Sequence, residues 1–226
     1  MPKLQSLTLG VATLDFLMAL PLARLQHRTS FVEQLTALEV STVPIEAQTF
    51  AQLLCLPRLQ MIRTEVRGGL SSSFDIVATA ARLHTLGLQL SGVSPHDCLA
   101  TLLPKLPGLR TLELRGGDAV VTQFAQFAQV ASRCCSSITA LEVPFGLLSR
   151  KSALAELTRL QSLVLTDEQP DNQAGVVDWD ALAPLADSLQ RLTIRVPWFH
   201  ASLALVQPLI SLRHLHVGCL RRSLLE

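Results

Sequence analysis

Six residues, Leu109 to Leu114 with the sequence LRTLEL, set the pattern that this chain repeats. Leu112 and Leu114 are two apart and therefore point to one face of a short extended strand. Leu109 breaks that parity and predicts a bend at the strand's entrance. The L-x-x-L-x-L frame returns eight more times with small variations, at Leu4, Leu35, Leu59, Leu83, Ile138, Leu160, Leu189 and Leu212. Successive copies begin roughly 26 residues apart, a period typical of stacked repeat architectures. One copy cannot fold alone. Its three buried leucine-type side chains give roughly 1.5–3 kcal/mol each, whereas ordering ~26 backbone units costs about 1–2 kcal/mol per residue. Stacked copies cover both sides of each leucine layer, so stability is shared along a one-dimensional array.

With nine such hexamers at this spacing, the chain resembles leucine-rich-repeat proteins of the ribonuclease-inhibitor or cysteine-containing type, the type found in F-box and related intracellular receptors. The resemblance covers nearly all of Met1 to Glu226, and its specificity comes from repetition. It implies an α/β solenoid, a horseshoe with a parallel concave β-sheet and convex helices. A further mark of the cysteine-containing type is Cys135, placed three residues before Ile138 in a Cys-x-x-Leu-like step; Cys134 is an unexplained extra. The chain also departs from the pattern. The usual repeat has asparagine or cysteine three residues beyond its last leucine, where these copies hold Ala12, Val43, Arg67, Ser91, Gly117, Gly146, Glu168, Pro197 and Leu220. Without that ladder, the turns must satisfy their backbone groups through water or local bonds, and their shapes should vary. The third copy puts Thr64 where leucine belongs, which predicts local disorder or a bulge.

A uniform repeat makes residues 1–226 a single domain. Neither end has a polar cap: the pattern starts at Leu4, and little follows the last copy. The chain therefore reads as part of a longer protein, or as an array whose uncapped ends associate with another surface, end to end included. Leucine layers account for most of the 49% hydrophobic content. No apolar stretch reaches the ~18 residues of a membrane span. Lys3 followed by apolar residues has the look of a signal peptide, but Asp15 interrupts the run, and Leu4, Leu7 and Leu9 fit the repeat frame. Five cysteines at irregular positions suggest no disulfide framework. The only asparagine, Asn172, is not in a glycosylation acceptor. These features point to an intracellular site, cytoplasmic or nuclear. The net charge is only +1, with scattered arginines, so no basic stripe predicts nucleic-acid binding.

Between the strands, apolar residues recur at three- and four-residue intervals. This predicts helices near Leu14–Leu25, Glu46–Cys55, Phe74–Arg82, His96–Leu103, Ala119–Cys134, Ser152–Leu157, Asp180–Ala186 and Ser202–Leu209. Ser94-Pro95-His96-Asp97 is the clearest start signal, with a serine cap and proline at the first helical position. Val120, Val121, Phe124, Phe127 and Val130 read as core rather than as an aromatic recognition stripe.

Function is expected where strand side chains face away from the core. Period-two parity gives three lanes. The middle lane reads Thr8, Glu39, Arg63, Gly87, Glu113, Glu142, Val164, Thr193 and His216. A second reads Gly10, Ser41, Glu65, Gln89, Arg115, Pro144, Thr166, Arg195 and Gly218; the third runs from Ser6 through Thr85 and Thr111 to Arg191 and His214. Glu39, Glu65, Glu113 and Glu142 make the first two thirds acidic, relieved by Arg63 and Arg115. Arg191, Arg195, His214 and His216 make the last repeats basic, and a protein partner with an acidic segment is expected there. Adjacent opposite charges that merely pair are the competing reading. Trp198 is a candidate binding anchor in the same region, and Trp179 reads as burial against the convex side. His214, His216 and Cys219 lack a third reliable ligand for a metal site. There is no G-x-S-x-G, P-loop, H-E-x-x-H or paired C-x-x-C motif. The expectation is a non-catalytic protein-interaction scaffold without cofactor, for which the resemblance implies substrate recognition in a ubiquitin-ligase context. An enzyme or enzyme-activating domain on a repeat scaffold is the alternative.

Overall fold

The computed structural model describes residues 5–9, 34–67, 80–91, 95–116, 120, 137–149, 154–166, 179–196 and 208–218. Nine strands form one sheet in chain order, each parallel to the next. They are β1 (Ser6–Leu9), β2 (Ala37–Glu46), β3 (Met61–Arg67), β4 (Thr85–Ser91), β5 (Thr111–Arg115), β6 (Ala140–Pro144), β7 (Ser162–Thr166), β8 (Arg191–Arg195) and β9 (His214–Gly218). Each strand coincides with one hexamer. The chain is a leucine-rich-repeat solenoid.

The leucine frame explains the register. Leu38, Ile62, Leu86, Leu112, Leu141, Leu163 and Leu192 lie side by side across the sheet and are fully buried. The entering residues Leu35, Leu59, Leu83, Leu109, Ile138, Leu160 and Leu189 are buried with them. The bend predicted at each entrance has a hydrogen-bond signature. Arg110 and Thr111 both donate their N–H to the His84 carbonyl, each at 2.9 Å. The same double donation recurs at all eight steps, from Thr36 and Ala37 onto Gln5 through Arg213 and His214 onto Gln190. Two successive amides can share one acceptor only where the chain turns into the strand, so the third-residue break in parity is a property of every repeat.

Thr64 stays in register with Leu88, is buried, and donates its hydroxyl to the Glu65 carbonyl at 3.2 Å. The bulge expected near the third copy lies instead in the neighbouring strand. In β2, Val40 pairs with Thr64 and Ile45 with Val66, so residues 41–44 oppose Glu65 alone. Pro44 cannot donate to a ladder, and a bulge is where a strand tolerates it. Ser41 therefore does not continue the second lane opposite Glu65.

Behind the sheet, helices occupy Ala47–Leu54 and Pro95–Leu102, and 3₁₀ turns occupy Leu103–Lys105, Phe145–Ser149 and Trp179–Leu185. The helix expected over Ser152–Leu157 is a turn at Leu154–Glu156, and Ala80 to Arg82, where the helix from Phe74 was expected to finish, are not helical. The segment from Asp180 is 3₁₀ rather than α, with Pro184 inside it. The physical reason is length: a short connection must still return to the next entrance, and a tighter 3₁₀ turn with ~2.0 Å rise covers more distance per residue than an α-helix. The helix at Pro95 starts where the cap signal placed it. The remaining expected helices, at Leu14–Leu25, over most of Phe74–Arg82, at Ala119–Cys134 apart from the buried Val120, and over most of Ser202–Leu209, lie outside the described residues.

The strand exits differ from repeat to repeat. β3 and β4 run on as a paired extension through Arg67 and Ser91. β5 ends at Arg115 and is followed by Gly116, whose φ of 136° is a conformation that glycine alone adopts readily. β6 passes directly into a 3₁₀ turn at Phe145. The last strand differs again. Its inward residues Leu215 and Val217 are 37% and 44% exposed, and nearby Ile210 is 76% exposed.

Candidate functional site

The solvent face of the sheet carries the candidate residues. Register places Thr8, Glu39, Arg63, Gly87, Glu113, Glu142, Val164, Thr193 and His216 in one continuous row across all nine strands. Ser6, Ala37, Met61, Thr85, Thr111, Ala140, Ser162, Arg191 and His214 form a second row beside it. The remaining lane is interrupted: Glu65, Gln89 and Arg115 align, as do Pro144, Thr166, Arg195 and Gly218, but the bulge removes Ser41.

In the first half of the sheet two arginines are engaged with two carboxylates across the strands. Arg63 on β3 reaches over β4 to Glu113 on β5, donating from Nε to Oε2 at 2.7 Å and from Nη2 to Oε1 at 2.6 Å. This two-pronged geometry is the strong form of an arginine–carboxylate pair. The residue beneath the crossing is Gly87. A Cβ there would stand 2.7 Å from Arg63 Cγ and 3.1 Å from Glu113 Oε2. The backbone at Gly87 has no positive φ, so the glycine is needed for space and not for conformation. Glu113 is only 6% exposed although it points away from the leucine layer. The hydrogen bond to Glu113 pushes the Arg63 pKa above the ordinary arginine value; partial burial opposes this, and the charges of Glu113, Glu39 and Glu142 reinforce it. A second pair follows, Arg115 donating to Glu142 Oε1 from Nε at 3.3 Å and from Nη2 at 3.2 Å. A shallow depression of about 50 Å³ lies among Glu39, Arg63, Gly87, Gln89, Glu113 and Arg115.

Sequence parity placed Arg63, Glu113, Arg115 and Glu142 on this face as partner-binding candidates. The structure pairs them across strands, so their charge is largely answered within the sheet. Gly87 was not singled out. The signal was available in the middle lane, where opposite charges flank a glycine, but a pair spanning two strands needs the register to be known.

The far end is different. Arg191 and Arg195 on β8 and His214 and His216 on β9 are exposed, with Arg191 beside His214 and Thr193 beside His216. The ion pairs of Arg63 and Arg115 lie on β3 to β6, and among the described residues neither β8 nor β9 contributes to one. Thr193 forms a buried floor between the two arginines. Four strand intervals at ~3.3 Å separate Arg191 from Arg195, or about 13 Å.

Trp179 packs against the core and meets Phe145 edge-on, with ring centroids 6.2 Å apart and planes at 69°. Trp198, Cys134, Cys135 and Cys219 lie outside the described residues. Among the described residues, no group of three histidine, cysteine or acidic side chains is arranged to hold a metal, and no helix is long and apolar enough to cross a membrane. Cys98 is a buried thiol whose pKa is pushed up to about 12 by desolvation. Cys55 is exposed; partial burial raises its pKa while the charge of Lys105 works the other way.

No protein-family model and no curated protein matches the chain. A solved structure that it resembles is a crystal structure of a TLR13–ssRNA13 complex, at 16% identity and a TM-score of 0.49. The match covers 96% of this chain and 33% of that one, so the chain spans about a third of its length.

Proposed function

We propose that the chain is a non-catalytic recognition scaffold, and that the solvent face of β8 and β9 binds an acidic segment of a protein partner. The observation that carries this reading is the contrast in charge engagement along one sheet. Arg63 and Arg115 are held by Glu113 and Glu142, whereas Arg191 and Arg195 stand exposed beside His214 and His216. Long-range attraction from unneutralised cations speeds encounter with an acidic partner and fixes its register. The buried Leu192 and Ile194 beneath β8 hold Arg191 and Arg195 on a packed strand, which limits the entropy lost on binding there.

The resemblance to the cysteine-containing, ribonuclease-inhibitor-like type extends the proposal to an intracellular receptor that selects substrates in a ubiquitin-ligase context. The two thiols among the described residues, Cys55 and Cys98, are compatible with a reducing compartment. The primary test is capture from cell extract with the intact array as bait, followed by the Arg191→Glu/Arg195→Glu variant, its fold checked by circular dichroism. Loss of the best-captured acidic protein is expected. Undiminished capture overturns the assignment to β8 and β9.

A further inference from the structure

The solvent face carries two electrostatic poles separated by a neutral strand, and this arrangement constrains the partner more tightly than its acidity alone. On β2 to β6 the outward strand residues include Glu39, Glu46, Glu65, Glu113 and Glu142 against Arg63, Arg67 and Arg115, an acidic excess. β7 contributes Ser162, Val164 and Thr166 to this face and no charge. β8 contributes Arg191 and Arg195, and β9 contributes His214 and His216. The acidic side is not a uniform surface. Because Arg63 is folded flat across Gly87 onto Glu113, no side chain rises from the middle of β4, and the depression beside Glu39 is left open.

We infer that the partner segment is bipolar: an extended peptide crossing the strands, with an acidic cluster on β8–β9 and a basic side chain at the depression beside Glu39 on β2–β3. This rests on the proposed acidic-segment reading and adds a second, opposite contact to it. Two features favour a peptide lying across the strands. The depression beside Glu39 is open to solvent, and the neutral row of β7 allows the chain to pass without a charge clash. Five strand steps at ~4.8 Å separate β3 from β8, about 24 Å. An extended chain covers ~3.3–3.6 Å per residue, so the two charged clusters of the partner stand about seven residues apart. Like charges would meet repulsion at one pole, which gives the face selectivity against purely acidic and purely basic segments.

The test uses the full chain and fluorescein-labelled synthetic peptides read by fluorescence anisotropy. One peptide carries two lysines, a seven-residue Gly/Ser/Thr spacer and three glutamates; others reverse the order, shorten the spacer to three residues, or replace the lysines by serine. The better orientation of the seven-residue bipolar peptide should bind about fivefold tighter than its serine counterpart, the gain expected of one favourable exposed charge contact of ~1 kcal/mol. Shortening the spacer should remove that gain. Glu39→Gln, which keeps side-chain size, should equalise the bipolar and serine peptides while leaving the acidic tail bound. Arg191→Glu/Arg195→Glu should weaken both. Equal binding of bipolar and serine peptides by the unsubstituted protein overturns the bipolar inference and leaves the acidic-segment reading standing. Failure of every peptide to bind, or clear preference for an oligouridine over all of them, overturns both.

Discussion

At the scale of single residues, the Arg63–Gly87–Glu113 crossing shows how an absent side chain becomes part of an interaction. In an ordinary strand, replacing glycine by alanine removes an entropic penalty of about 0.5–1 kcal/mol and stabilises the chain. Here the new methyl would meet Arg63 Cγ at 2.7 Å, the guanidinium would lift away, and the buried Glu113 carboxylate would lose both of its hydrogen bonds to Arg63. The second effect is larger, because leaving a buried charged acceptor without its partner costs roughly 1–3 kcal/mol or more. Gly87→Ala should therefore lower stability by about 1–2 kcal/mol in urea unfolding. In an Arg63→Ala background the same substitution should be neutral or stabilising, and an unchanged penalty there would show that the cost is not the displaced arginine. The second residue-level prediction concerns pH. Burial raises the Cys98 pKa from 9.0 to about 12, so the folded state holds this proton more tightly than the unfolded chain does. The corresponding stability is fully present below pH 9.0 and is lost as pH rises through about 12. Between pH 9 and pH 10 the loss is about 1 kcal/mol, since the unfolded thiol is only half ionised at the start of that interval. Urea titrations of the unsubstituted protein and of Cys98→Ala should diverge by up to that amount on raising the pH by one unit, with the other cysteines cancelling in the comparison. Parallel pH profiles would mean that the thiol ionises within the folded state.

At the scale of elements, the same leucine carries different weight in the middle and at the end of the sheet. Leu112 on β5 is covered on both sides by neighbouring layers and fully buried, whereas Leu215, its counterpart on β9, is covered on one side. Leu112→Ala should cost about 2–5 kcal/mol, and Leu215→Ala under about 1 kcal/mol, since much of its surface is already in water. Denaturant midpoints of the two variants decide this; equal losses would mean that β9 is packed as tightly as β5. The strands were legible in the sequence because period two survives any variation in the connections: LRTLEL and LQRLTI differ at four positions and still place both inner leucine-type residues on one face. The connecting elements were less legible. Apolar spacing around Asp180 and around Ser152 suits an α-helix as well as a 3₁₀ turn, and the choice is made by how far the chain must travel before Leu189 or Leu160 has to enter the next strand. The bulge in β2 was detectable only indirectly, since Pro44 sits beyond the hexamer that defines the strand.

At the scale of the whole molecule, one-dimensional stacking ties stability and recognition together. Which residues share the solvent face could be read from parity alone, and the rows at Arg191 and His214 and at Thr193 and His216 align in the structure. Which charges remain available could not, because Arg63 and Glu113 belong to repeats two apart and their pairing depends on Gly87 between them. The proposed docking strands also have the least support. β8 is held on both sides, but β9 pairs only with β8 among the described strands, and its inward Leu215 and Val217 are exposed where the equivalent residues of β3 to β8 are buried. In a stacked array each repeat draws its stability from its nearest neighbours, so opening should begin where one neighbour is missing. Amide hydrogen exchange should therefore be slowest in β4 to β6 and fastest in β9, with β8 intermediate. A ligand that bridges Arg191 or Arg195 to His214 or His216 binds the closed form alone and should slow exchange in β9 far more than in β5. If β9 already exchanges as slowly as β5 in the unliganded chain, the edge is covered in solution, and the exposed imidazoles of His214 and His216 are not part of an open docking face.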